Sequence, residues 1–116
     1  MRHSMCDMTL ACYDSALKKI DEKISIKKSP DLQDTIEIAA LHLNMGDLYL
    51  SKANPEKAAQ EFQTVLKNGA PGRDRFLETW ALLGIGKSYK LKKDYQHAIE
   101  YYEHALWKMK WKQRKL

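Results

Sequence analysis

The sequence predicts an all-α chain of about five helices, folded as a right-handed stack of antiparallel helix hairpins. Three observations lead there. Only 3 prolines and 5 glycines interrupt 116 residues, which suits long helices better than many short strands. Cap and proline signals cut the chain into segments of helical length. One pattern of glycine, tyrosine, alanine and an aromatic occurs twice at the same spacing. The hydrophobic fraction of 44% is enough for one packed core, and 116 residues suit a single domain.

The elements follow in order. Ser4 is placed to cap a first helix running to about Lys28. Its residues Met8, Cys12, Ala16, Ile20 and Ile24 recur every four positions and form one apolar stripe. Ser29-Pro30-Asp31 supplies a cap, a first-turn proline and an acid facing the helix dipole, and opens a second helix ending near Lys52. Asn54-Pro55-Glu56 repeats that signal and opens a third helix, which ends near Asn68-Gly69. Ala70-Pro71-Gly72 is a turn. A fourth helix spans about Arg73 to Leu91, and Asp94 caps a fifth that continues through Trp111. The short connections make sequential helices antiparallel neighbours.

The repeat is Gly46-x2-Tyr49-x8-Ala58-x3-Phe62, found again forty residues later as Gly86-x2-Tyr89-x8-Ala98-x3-Tyr102. Each residue type has a steric reason. Glycine and alanine let the two helices of a hairpin approach closely. The aromatics fill the wedge between hairpins. Val65 and Ala105 follow the aromatic by three residues in both copies. In this pattern the chain resembles the tetratricopeptide repeat family. The usual period there is about 34 residues. Longer periods occur in kinesin light chain and Pins-like spindle scaffolds, and the Gly-Tyr-Ala-aromatic spacing argues against HEAT-like helix pairs. The family's proline is displaced to Pro71 in the first copy and missing from the second. Ala16-x3-Ile20 resembles the second half of a preceding repeat. The expected organisation of this single domain is therefore an orphan helix at 1–28, repeats at 29–72 and 73–112, and a basic tail end at 113–116.

Composition bounds the function. The net charge is +5, yet Lys108, Lys110, Lys112, Arg114 and Lys115 carry all of it, leaving 15 basic and 15 acidic residues elsewhere. The body is neutral, so nucleic acid and membrane are disfavoured as partners of the fold as a whole. Cys6 and Cys12, six residues apart on a helix, point to nearly opposite faces and cannot bridge each other, which predicts no disulfide and a reduced, cytoplasmic setting. The N-terminus lacks an uninterrupted apolar run, because Asp7 and Asp14 break it.

No constellation for chemistry stands out. His97 and His104 share a helix face without a third ligand at metal spacing, and His3 with Cys6 is a similarly weak pair. Gly84-Ile85-Gly86-Lys87 sits inside a predicted helix, the wrong context for a phosphate loop. The expectation is a non-catalytic chain without a cofactor.

The resemblance implies a concave groove lined by the first helix of each hairpin. Its positions here are Ala40, Leu43, Asp47 and Leu50, then Trp80, Leu83, Lys87 and Lys90. Such a part-apolar, part-cationic surface suits a peptide or helix of another protein, acidic and with hydrophobic anchors. Trp80 is the expected anchor; ordinary packing of Trp80, and solvation of Lys87 and Lys90, are the plainer alternatives. Some relatives hold a chaperone's terminal carboxylate with groove lysines and asparagines. Leu43 and Asp47 stand at two of those positions, which disfavours that ligand. A second candidate surface is Trp107, Lys108, Lys110, Trp111 and Lys112, where both tryptophans share a face. It serves an acidic partner, an anionic membrane or nucleic acid, or it packs internally. The rival to an adaptor or scaffold role is a structural piece of a longer array, or a subunit that buries its ends as a homo-oligomer.

Overall fold

The structure is a computed structural model, and it describes residues 10–27, 32–68 and 75–115. Side chains at 26, 27, 32 and 110–115 lie outside the description. The described residues form helices α1 (Leu10–Lys27), α2 (Leu32–Ser51), α3 (Pro55–Lys67), α4 (Arg75–Leu91) and α5 (Tyr95–Lys115). The predicted all-α class holds. The Ser4 cap, the Ser29-Pro30-Asp31 signal and the Pro71 turn lie outside the described residues. The helix α5 runs past the expected end at Trp111, through the basic tail.

Two hairpins, α2–α3 and α4–α5, share one turn design. In the first, the Asn54 N–H reaches the Tyr49 carbonyl at 2.9 Å and the Ala53 N–H reaches that of Leu50 at 2.9 Å. Forty residues on, the Asp94 and Lys93 N–H groups repeat both bonds to Tyr89 and Lys90, again at 2.9 Å. This double closure of a helix end needs one left-handed residue. Ala53 (φ 58°) and Lys93 (φ 67°) supply it, although neither is glycine. The next residue then starts the following helix: the side chains of Asn54 and Asp94 each accept the backbone N–H three residues on, both at 3.3 Å. Termination of one helix and initiation of the next thus leave only three residues between them. Tyr89 braces the second turn by stacking on His97 and Tyr101, with ring centroids 5.0 and 5.6 Å away.

The core lies where α3 packs between α2 and α4. Ala39, Leu43, Ala58, Phe62, Val65, Leu77, Ala81 and Ile85 are its buried members. Phe62 sits at the centre, fully buried. Its ring is flanked by two glycines: a Cβ on Gly46 would come within 2.6 Å of it and one on Gly84 within 2.5 Å. Glycine is required at both places by this close approach. Tyr102 has the same relation to Gly86 in the second hairpin, at 2.7 Å, but only from one side. Burial of a ring such as Phe62 stabilises the fold by roughly 1.5–3 kcal/mol. Helix α1 is held on α2 partly by charge, since Lys23 reaches Asp34 at 3.3 Å and Glu37 at 3.8 Å.

One expectation fails here. Cys12 is disulfide-bonded rather than a free thiol. The contrary expectation placed both cysteines on one helix; Cys6 lies outside the described residues. The inference of a reduced compartment lapses with it. Among the described residues no helix is long and apolar enough to cross a membrane.

Candidate interaction surface on the second hairpin

The α4 sequence alternates buried and open positions at helical spacing. Leu77, Ala81, Gly84, Ile85 and Ser88 turn inward, and the buried Ser88 hydroxyl is satisfied by the Gly84 carbonyl at 3.0 Å. Phe76, Trp80, Leu83 and Lys87 occupy the neighbouring stripe. That stripe walls a cavity of about 530 Å³, completed by Arg75 and Thr79 and by Lys108 and Met109 of α5. The walls are largely apolar, with cationic groups at the rim. Phe76 is 70% exposed and meets the Trp80 ring edge-on at 5.9 Å.

Trp80 is half-buried and pinned. Its indole N–H donates to Asp47 Oδ2 of α2 at 3.2 Å, which fixes the ring between hairpins. Burial pushes the Asp47 carboxyl above the ordinary 3.8, while the Trp80 hydrogen bond and the Lys87 charge act in the opposite sense. Each side of the surface therefore depends on the other: Asp47 orients the indole, and the indole and Lys87 favour the charged form of the carboxyl.

Of the eight expected groove positions, the structure brings Trp80, Leu83 and Lys87 together on the cavity wall and places Asp47 behind Trp80. Lys90 is exposed on the same helix, outside the cavity, and Ala40 is partly buried on α2. Leu43 needs correction, because it is fully buried in the core and offers no surface. Leu50 packs partly against that core. The reason is geometric: α2 has a helix on both sides, so its accessible stripe is narrower than that of α4.

The second candidate surface divides. Lys108 is not free for a ligand; its ammonium bonds Glu78 Oε2 at 2.9 Å, a strut between α4 and α5 with Glu78 itself buried. Trp107 is 57% exposed. Lys110, Trp111 and Lys112 lie on α5, and their side chains are outside the description. His97 Nδ1 pairs with Asp94 at 2.8 Å, holding that carboxyl below its ordinary value. His97 therefore belongs to the turn.

Sequence reasoning missed Arg75, Phe76, Thr79 and Met109 as cavity residues. Phe76 was within reach, since the spacing of Trp80, Leu83 and Lys87 continues back to it. Met109 was not, because its place depends on how α5 crosses α4.

Comparison with known families gives one finding: a family model described as Tetratricopeptide repeat matches residues 37–106. That span runs from within α2 to within α5, takes in both hairpin turns and excludes α1. Neither curated proteins nor solved structures give a match.

Proposed function

Because this chain belongs to the tetratricopeptide repeat family, whose repeats mediate protein–protein interaction, we propose that it is a non-catalytic adaptor that holds an acidic, apolar-anchored segment of a partner along α4. The observation that carries this reading is the cavity beside Trp80. It joins an apolar floor of Phe76, Leu83 and Met109 to the cations Arg75 and Lys87. A segment with apolar anchors and carboxylates complements both features. An indole already fixed by Asp47 loses little freedom on binding, which favours Trp80 as the anchor.

A random peptide library displayed on phage tests this reading. Selection against the intact chain should enrich sequences with acids beside aromatic or aliphatic residues, and Trp80→Ala with Lys87→Glu should abolish their capture. Enriched peptides that are basic, or that bind the double variant equally well, would sink the proposal.

A further inference from the structure

The forty-residue repeat allows each surface of the second hairpin to be compared with its counterpart in the first. On α3, Phe62 is covered on both sides, by Gly46 of its own hairpin and by Gly84 of the following helix. On α5, Tyr102 stands in Phe62's place. Gly86 covers one side of it, and the ring stays partly exposed. Around it Tyr95, Ile99, Leu106 and Met109 form an apolar stripe, each at least half exposed. The positions of Ile99 and Leu106 on α3 are Ala59 and Leu66, both partly buried in the helix stack. The open face of α5 is therefore the counterpart of the face of α3 on which α4 rests, and no described helix rests on it.

The same shift identifies the charge of what would fit. In the first hairpin Asp47 receives the indole N–H of Trp80, four residues before Gly84. Forty residues after Asp47 stands Lys87, an exposed cation on the cavity wall. A helix lying on α5 as α4 lies on α3 thus meets a cation at the position where α4 placed tryptophan. It meets the Tyr102 ring at the position where α4 placed glycine.

We propose that the open face of α5 binds a helix of a partner protein that carries an acidic residue four positions before a glycine, the acid on Lys87 and the glycine on Tyr102. This deepens the adaptor reading and rests on it, because Lys87 belongs to both surfaces. Among the described residues, a second copy of the chain offers no such helix. Its helical glycines, Gly46, Gly84 and Gly86, are buried, and α1 contains none.

The test uses the intact chain and a fluorescein-labelled, stapled peptide with the sequence of residues 75–91 carrying Trp80→Glu, followed by anisotropy. Saturable binding is expected. It should weaken at least tenfold with Gly84→Val in the peptide, with Leu106→Glu in the protein, and with Lys87→Glu in the protein. A peptide carrying Trp80→Lys should restore binding to the Lys87→Glu protein. Leu106 is half exposed, so Leu106→Glu should keep the melting curve of the parent, confirming that the loss is local. No saturable binding, or equal affinity for the Gly84→Val peptide, overturns the proposal. Binding that falls with Lys87→Glu but ignores Leu106→Glu and Gly84→Val also overturns it, while leaving the adaptor reading standing. Sedimentation of the protein alone provides the last arm: a dimer that Leu106→Glu dissociates would assign this face to a second copy instead.

Discussion

Replacing Gly84 and Gly86 by alanine in turn should give different results, although the two glycines lie two residues apart on one helix. Alanine is the better helix former by about 1 kcal/mol, so both variants start with that gain. At Gly84 the new Cβ would lie 2.5 Å from Phe62 Cε2 and Cζ. Carbon atoms rest at about 3.5–4.0 Å, so the ring must retreat by about 1 Å. It has nowhere to go, because its other side already lies within 2.6 Å of where a Cβ on Gly46 would stand. Overpacking of this kind costs about 1–3 kcal/mol, and the closed site points to the upper part of that range. At Gly86 the Cβ would lie 2.7 Å from Tyr102 Cε1 and 3.3 Å from the Ala98 carbonyl oxygen; the ring is partly exposed and can swing outward, which leaves the backbone contact as the smaller cost. Gly84→Ala should therefore lose about 1–2 kcal/mol net, and Gly86→Ala should lie within about 0.5 kcal/mol of the parent. Urea titration followed by circular dichroism measures both. Adding Phe62→Leu should recover part of the Gly84→Ala loss, visible as a coupling of about 1 kcal/mol in a double-mutant cycle. A Gly84→Ala protein as stable as Gly86→Ala would refute the account of Phe62 as a ring clamped between two helices.

Further outcomes follow from the same geometry. Ala53→Gly and Lys93→Gly should each stabilise the chain by up to about 1 kcal/mol in thermal melts, since both residues hold positive φ. Lys108→Ala should cost about 2 kcal/mol in urea melts by leaving the buried Glu78 unpaired, and adding Glu78→Leu should recover most of it. Asp47→Asn keeps an acceptor for Trp80 and removes a carboxylate whose folded value lies above 3.8. A raised acid value means that the folded state loses stability as pH rises from 3.8 through that value. The variant should gain on the parent across this window and hold the gain at neutral pH, as read from urea midpoints at several pH values. Asp94 has the opposite sign: its folded value lies below 3.8, so its contribution is complete above that pH and is lost as pH falls through the folded value. A carboxyl NMR titration of Asp94 should show a midpoint below 3.8.

The fold was legible because its punctuation is local. Asn54 and Asp94 cap helices through their own backbone neighbourhood, and the Gly-Tyr-Ala-aromatic spacing encodes contacts within one hairpin. The steric role assigned to Gly46 and Gly86 agrees with the structure. The role of Gly84 was hidden, since it meets Phe62 across hairpins and has no counterpart glycine in the first copy, where residue 44 is asparagine. The left-handed Ala53 and Lys93 were also hidden, because nothing in their residue type asks for positive φ. At the candidate surface, the helical spacing of Trp80, Leu83 and Lys87 was enough to group them. The burial of Leu43 depends on α2 being enclosed on two sides, which is a property of the stack. The Lys108–Glu78 strut joins residues thirty apart, and a run of lysines reads as a solvated tail until its helix is packed.

The most direct measurement of the central claim is the indole N–H region of a ¹H–¹⁵N spectrum during titration with an acidic, apolar peptide selected on the intact chain. The chain has 3 tryptophans, so its indole signals are few and assignable by substitution. The Trp80 indole, bonded to Asp47 on the cavity wall, should shift progressively and saturate with the backbone signals of Leu83 and Lys87. A Trp80 indole that stays fixed while the peptide saturates the protein, with the shifts gathered on α1 or α2, would contradict it.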